Sequence, residues 1–285
     1  MKKATKVDKY TRHKNISDIK KSQKAFFDRK YIKWAWESYW SRFYKDRFNI
    51  SDFEIAKMFN RLELRNSSSV LDIGCGDQPL TCIYAFNISC FSVGVDLSVR
   101  GLKRAKKNAS RSNFSGSFHI VVADVNHLPF NSECFDAVIH SMVLEHVDNP
   151  EASLSEASRI LKNGGKIFLY TVNRRYPFRK IYEMLLPGYF RAMGHSKNRY
   201  YSIYEIKSYF VKNGLQIEGE AYIFVFISAI FDLIILPKFS QLLIRKPWTQ
   251  IYQKVFLRFL RVIAFLDNPL KKLGLSSCVI VIGRK

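Results

Sequence analysis

The sequence predicts an α/β fold: a seven-stranded, mostly parallel sheet with helices on both faces. Three observations point there. Short, continuously apolar runs recur from residue 70 onward, as strands buried on both faces require. Helical patterns with start and stop signals stand between them. The first apolar run enters a glycine-containing loop, VLDIGCGDQP at 70–79, the kind of strand-to-loop turn on which parallel sheets receive a ligand.

The elements follow in order. Residues 1–65 are basic and aromatic around FFDRKYIKWAWESYWSRFYKDRF. There Phe27, Tyr31, Trp34 and Ser38 keep helical spacing, as do Trp36, Trp40 and Phe43, which predicts N-terminal helices. Strands are expected at 70–73, at 91–97 (FSVGVDL, with Asp96 near its end), at 119–123 (HIVVA, ending at Asp124), at 135–141 (FDAVIHS) and at 166–172 (KIFLYTV). Residues 98–110 (SVRGLKRAKKNAS) predict a basic surface helix capped by Ser98. A helix over 151–161 follows Pro150 and stops at Asn163-Gly164-Gly165. Residues 173–200 carry Arg174, Arg175, Arg179, Lys180, Arg191, Lys197 and Arg199 among apolar residues and read as an insertion. A helix over 202–212 ends at Asn213-Gly214, and the last two strands are expected at 216–224 and 276–283. The division is a basic helical segment, 1–65, and a Rossmann-like domain, 66–285, with insertions at about 173–200 and 225–275.

Composition bounds the rest. Of 285 residues, 47% are hydrophobic, enough for a core and against wholesale disorder. The formal charge of +22 implies an anionic partner: nucleic acid, an anionic membrane surface or a charged substrate. Five cysteines without CxxC spacing indicate neither a disulfide framework nor a zinc site. The basic N-terminus lacks an apolar stretch of the signal-peptide kind. A reducing, cytoplasmic compartment is expected.

The loop narrows the ligand. A strand end, glycines that admit a close approach, and a carboxylate at the next strand end suit a nucleoside. A dinucleotide loop needs a third glycine against the pyrophosphate. Here the loop reads Gly74-Cys75-Gly76-Asp77-Gln78-Pro79. Pro79 fills the third position, and Asp77 repels phosphate. A cationic nucleoside fits better. VLDIGCGDQP with Asp96, Asp124, FDAVIHSMVLEHV and the Leu-Lys-Asn-Gly-Gly turn resembles the class I S-adenosylmethionine-dependent methyltransferases over 68–172. The resemblance implies that cofactor and assigns its contacts. Asp72 and the loop of Gly74, Cys75 and Gly76 hold the methionine part. Asp96 takes the ribose hydroxyls, and Leu97 lies against the adenine. Asp124 and Val125 meet the adenine edge, and Ser141 lines the methionine side.

SMVLEHVDNP and the following YTVNRRYPFRKIYEMLLPGYF resemble the ubiquinone-biosynthesis O-methyltransferases. In that family the insertion touches lipid, and a further Glu precedes the LEHV Glu by three residues to hold a divalent metal. Met142 stands at that position, so no metal site is assigned. Methyl transfer from an activated donor asks the protein to position a nucleophile and remove its proton. His146 is the first candidate base, with Glu145 to orient it, and His195 is the second.

Residues 250–266 (QIYQKVFLRFLRVIAFL) place Lys254, Arg258 and Arg261 on one helical face and apolar residues on the other. That pattern suits either an anionic bilayer surface or a packed helical lid. The apolar run at 221–236 is too short to span a membrane and is interrupted by Asp232. The expected function is methylation of a small, lipid-like or lipid-linked acceptor at the inner face of the membrane. The alternative is a transfer-RNA methyltransferase that uses the basic surface. A non-enzymatic cofactor-binding protein is the third reading.

Overall fold

The computed structural model describes residues 50–112, 114–177, 179, 184, 200–223 and 268–285. The aromatic segment before residue 50, most of the 173–200 insertion with His195, and the amphipathic segment at 250–266 lie outside the described residues. So does most of the apolar run at 221–236.

The chain enters through α1 (Ile50–Phe59) and a 3-10 turn (Asn60–Leu62). The sheet is then built by β1 (Ser69–Ile73), α2 (Leu80–Tyr84), β2 (Phe91–Asp96), α3 (Val99–Arg111), β3 (Ser117–Val122) and β4 (Phe135–Ser141). A second 3-10 turn (Leu144–His146), α4 (Pro150–Ile160), β5 (Leu161–Val172), α5 (Ile203–Lys212), β6 (Gln216–Ile223), α6 (Asn268–Lys272) and β7 (Cys278–Arg284) complete it. The seven strands lie in the order β3-β2-β1-β4-β5-β7-β6. All neighbours run parallel except β7, which is antiparallel to both β5 and β6. The predicted class, including helices on both faces, is the observed one.

Strand parity sorts the core into two layers. Leu71, Ile73, Val93, Val95 and Val138 pack with Leu154, Ala157 and Ile160 of α4 and with Ile203, Ile206 and Phe210 of α5. Val70, Ala137, Ile139 and Phe168 pack with Ile55, Met58 and Phe59 of α1 on the other face. There Leu102 and Ala105 of α3 also meet Cys75, Phe118 and Ile120. Both faces are dry, so the central strands need no polar alternation, and this is why they read as unbroken apolar runs.

Caps set the helix starts. The Ser98 hydroxyl accepts the Gly101 N–H, and Asn149 accepts that of Ala152 ahead of Pro150. Ser202 and Glu205 form a reciprocal capping box, so Ser202 is the cap of α5 rather than its first turn.

One boundary differs from the sequence pattern. β5 begins at Leu161, not at Lys166. Phe135 pairs with Leu161 and Ala137 with Lys166, so Asn163-Gly164-Gly165 is a bulge within the strand. Gly164 sits at φ +78°, and its N–H reaches the Lys285 carbonyl at 2.9 Å. The carboxyl end of the chain thereby occupies the place of a turn partner.

Past β5, Asn173 is buried. Its amide donates to the carbonyls of Gly274 (3.0 Å) and Ser276 (2.9 Å). Arg174 bonds the Tyr200 carbonyl and the Glu205 carboxylate, each at 2.8 Å. The Asn-Arg pair thus pins the start of the 173–200 insertion to the lead-in of β7 and the cap of α5.

Candidate active site

The chain builds β1, β2 and β3 outward on one side, then crosses back to place β4 on the other side of β1. That reversal opens a crevice at the carboxyl ends of the strands. Pairings of Ile73 with Val95 and with His140, and of Asp96 with Val122, put the strand ends in one row. The loop of Gly74 and Gly76, Asp96 and Leu97, Asp124 and Val125, and Ser141 therefore gather along one edge. Ser141 is the last residue of β4, as the 135–141 run predicts.

The loop is held by its surroundings. Gly74 and Gly76 adopt left-handed backbone, φ +62° and +57°. A Cβ on Gly74 would come within 2.4 Å of Val143 Cγ2, so a side chain is excluded by both torsion and space. The Cys75 N–H donates to the Val95 carbonyl at 3.1 Å. Beneath it, a Cβ on Gly94 would lie 2.7 Å from both Cys75 Sγ and Phe118 Cζ. Gly94 is thus the residue that lets the loop settle onto β2.

Asp96 fastens the other side. Its Oδ2 accepts the Gly76 N–H at 3.0 Å, and its Oδ1 accepts the Ser98 N–H at 2.8 Å. Asp72 is buried below the loop and accepts the Thr81 N–H at 3.4 Å. Burial pushes its carboxyl up to about 7; the Thr81 and Leu80 N–H groups pull it partway back, and the nearby Asp96 charge adds to the rise. Burial, together with the charges of Asp72, Asp96 and Asp77, holds the Cys75 thiol well above the usual thiol range. Three carboxylates therefore converge on one short loop. Such a site disfavours phosphate and favours a ligand that brings positive charge.

At the far end of the row, Asp124 closes a tight turn. Its Oδ1 accepts the Asn126 N–H at 3.0 Å, and its carbonyl accepts the His127 N–H at 2.9 Å. Val125 packs against the core beside it.

β4 leads into the second candidate group. Met142 takes left-handed backbone, φ +53°, and its N–H donates to the Tyr170 carbonyl at 2.7 Å. That bend starts the turn holding Glu145 and His146. His146 is half-buried, and its N–H donates to the Val143 carbonyl at 2.8 Å. Glu145 is buried. Its Oε2 accepts the Thr171 hydroxyl at 2.8 Å, and its Oε1 has no hydrogen-bond partner among the described residues. Burial pushes its carboxyl up to about 7 against the pull of its own N–H and of Thr171. The sequence assigned Glu145 to orient His146; the structure engages it with β5 instead. No three His, Cys, Asp or Glu side chains among the described residues converge as a metal site.

Residues 71–169 match the family model of the methyltransferase domain. Those residues are a methyltransferase domain. The chain is 32% identical over 158 residues to the uncharacterized protein MJ0638 of Methanocaldococcus jannaschii, covering 54% of this chain and 62% of that protein. It is 30% identical over 157 residues to the mitochondrial ubiquinone biosynthesis O-methyltransferase of Rattus norvegicus, covering 53% and 45%. The chain thus spans about half the length of the curated relatives it matches. Among solved structures, phosphoethanolamine N-methyltransferase 2 of Haemonchus contortus, in complex with S-adenosyl-L-methionine, superposes with a TM-score of 0.52. It shares 18% identity and covers 80% of this chain and 51% of its own, a likeness of fold.

Within the methyltransferase domain, the motif residues were legible as text, but their supports were not. Gly94 had a signal, since a glycine inside a strand pattern marks a close approach. Thr171 and Val143 had none: each matters only through a partner far away in sequence.

Proposed function

We propose that this protein transfers a methyl group from S-adenosylmethionine to a small, lipid-like or lipid-linked acceptor at the cytoplasmic face of a membrane. The observation that supports the donor is the glycine loop ringed by Asp72, Asp77 and Asp96. S-adenosylmethionine brings an ammonium and a sulfonium to such a loop, and when bound it supplies an electrophilic methyl group. Asp72 and the backbone of Gly74, Cys75 and Gly76 hold its methionine part. Asp96 keeps the loop closed through Gly76 and Ser98 and offers its remaining lone pairs to ribose hydroxyls. Leu97, Asp124 and Val125 border the base, and Ser141 borders the methionine side.

His146 serves as the base that takes the acceptor's proton. His195 remains a second candidate, outside the described residues. Support for a lipid-like acceptor comes from the rat quinone enzyme among the relatives and from the basic and apolar insertions.

Two measurements test the reading. Cell extract incubated with methyl-labelled cofactor is split into lipid, RNA and soluble fractions; label should enter the lipid fraction, and label in RNA would replace this acceptor by the alternative one. His146→Ala should lower turnover at least a hundredfold while cofactor affinity changes less than threefold. Unchanged turnover removes His146 as the base.

A further inference from the structure

The exposed face of α3 has no role in the methyltransferase site, yet its composition is one-sided. Of its 13 residues, Arg100, Lys103, Arg104, Lys106, Lys107 and Arg111 are basic and none is acidic. Five of them, all but Arg104, are exposed. At 100° per residue these five fall within one stripe, opposite the buried Leu102, Ala105 and Ala109. No ion pair involving any of the six occurs among the described residues.

Stability does not account for this face. Arg100–Lys103, Lys103–Lys107 and Lys107–Arg111 are like-charge neighbours at three- and four-residue spacing, which weakens a helix. Arg100 also lies in the first turn, where the helix dipole opposes a cation. Elsewhere the same fold does pair its cations: Lys166 with Glu63, Arg159 with Glu156, Lys212 with Glu151.

We propose that the α3 stripe is the surface that docks the protein on an anionic lipid bilayer. From Arg100 to Arg111 the stripe runs about 16 Å along a straight helix, a length of aligned cations that fits a flat charged plane. It carries no aromatic residue, so it lacks the stacking platforms that single-stranded nucleic acid uses. The helix begins three residues after Asp96, and the Asn108 amide ties it to the Asp77 carbonyl at 2.7 Å. Docking along α3 therefore holds the rim of the cofactor crevice at the bilayer, where a lipid-like acceptor resides. The choice of a bilayer rests on the acceptor reading above.

The test is co-sedimentation of the full chain with phosphatidylcholine vesicles, with and without phosphatidylglycerol, at low and high salt. The wild type should pellet only with the anionic vesicles and be released by salt. Lys103→Gln/Lys106→Gln/Lys107→Gln should lower the partition coefficient about a hundredfold while leaving cofactor affinity intact, which shows that it folds. Equal pelleting of wild type and variant overturns the α3 assignment. So does a wild type that ignores anionic vesicles, or one that prefers transfer RNA to vesicles at equal phosphate through the same three lysines. Methylation of a lipid extract in neutral detergent micelles separates the two ideas. Both proteins should work equally there, and a wild type inactive on the extract overturns the acceptor reading while the docking result stands.

Discussion

Asp96 makes two hydrogen bonds that shape the donor loop, to Gly76 at 3.0 Å and to Ser98 at 2.8 Å. Asp96→Ala removes both of them and the ribose acceptor, so calorimetry should show cofactor affinity falling at least a hundredfold, or ~2.7 kcal/mol. Unchanged affinity would remove the cofactor from this crevice. Glu145 shows what a buried carboxyl does to pH dependence. Its folded value is raised to about 7, so its favourable contribution holds at lower pH and is lost as pH rises through about 7. Glu145→Gln can keep the Thr171 bond and cannot ionise. Denaturant unfolding should find the variant's stability relative to wild type rising by about 1.4 kcal/mol between pH 6 and 8.5. A constant difference across that range would mean that the carboxyl is not buried as described. His140 acts in the opposite window: burial lowers its imidazole to about 4, so its contribution is lost as pH falls from the ordinary histidine value toward 4. At this scale, Asp72, Gly74, Gly76 and Asp96 were legible because each residue type is required by local geometry. The engagement of Glu145 with Thr171 was not, because those residues stand 26 apart.

At the scale of elements, one lysine of β5 clips the sheet to the turn after α1. Lys166 is 5% exposed. Its Nζ donates to the Arg61 carbonyl at 3.0 Å and meets Glu63 at 2.9 Å and Glu218 at 3.2 Å. This side chain joins the turn after α1 to β5 and β6. Lys166→Met keeps the apolar stem and removes the donor, leaving a carbonyl and two carboxylates without it. Chemical denaturation should show a loss of about 1–3 kcal/mol from the unsatisfied Arg61 carbonyl; a loss below 0.5 kcal/mol would show the clip to be dispensable. The sequence pattern located every strand to within a few residues, since apolar runs between caps need no partner to be read. It missed the start of β5, because Asn163-Gly164-Gly165 reads locally as a stop. Only pairing with Phe135 and the Lys285 carbonyl makes it a bulge.

For the whole molecule, the methyltransferase reading makes a linkage prediction. A ligand that binds only the folded state stabilises it by about 2.7 kcal/mol at a hundred times its dissociation constant. S-adenosylmethionine should therefore raise the unfolding midpoint of the wild type and leave that of Asp96→Ala unmoved. A wild type with no shift at saturating cofactor would contradict the donor assignment. The sequence by itself determined the fold class, the donor loop and the carboxylates at the strand ends, because periodicity, glycine and charge act over a few residues. It also determined the charge of +22, but not where that charge lies unpaired. Tertiary structure alone decided the strand order, the antiparallel β7, the union of Glu145 with Thr171, and the lack of ion pairs to the α3 cations among the described residues. Each of these depends on which distant segments touch, and contacts between distant segments leave no periodic trace in the chain.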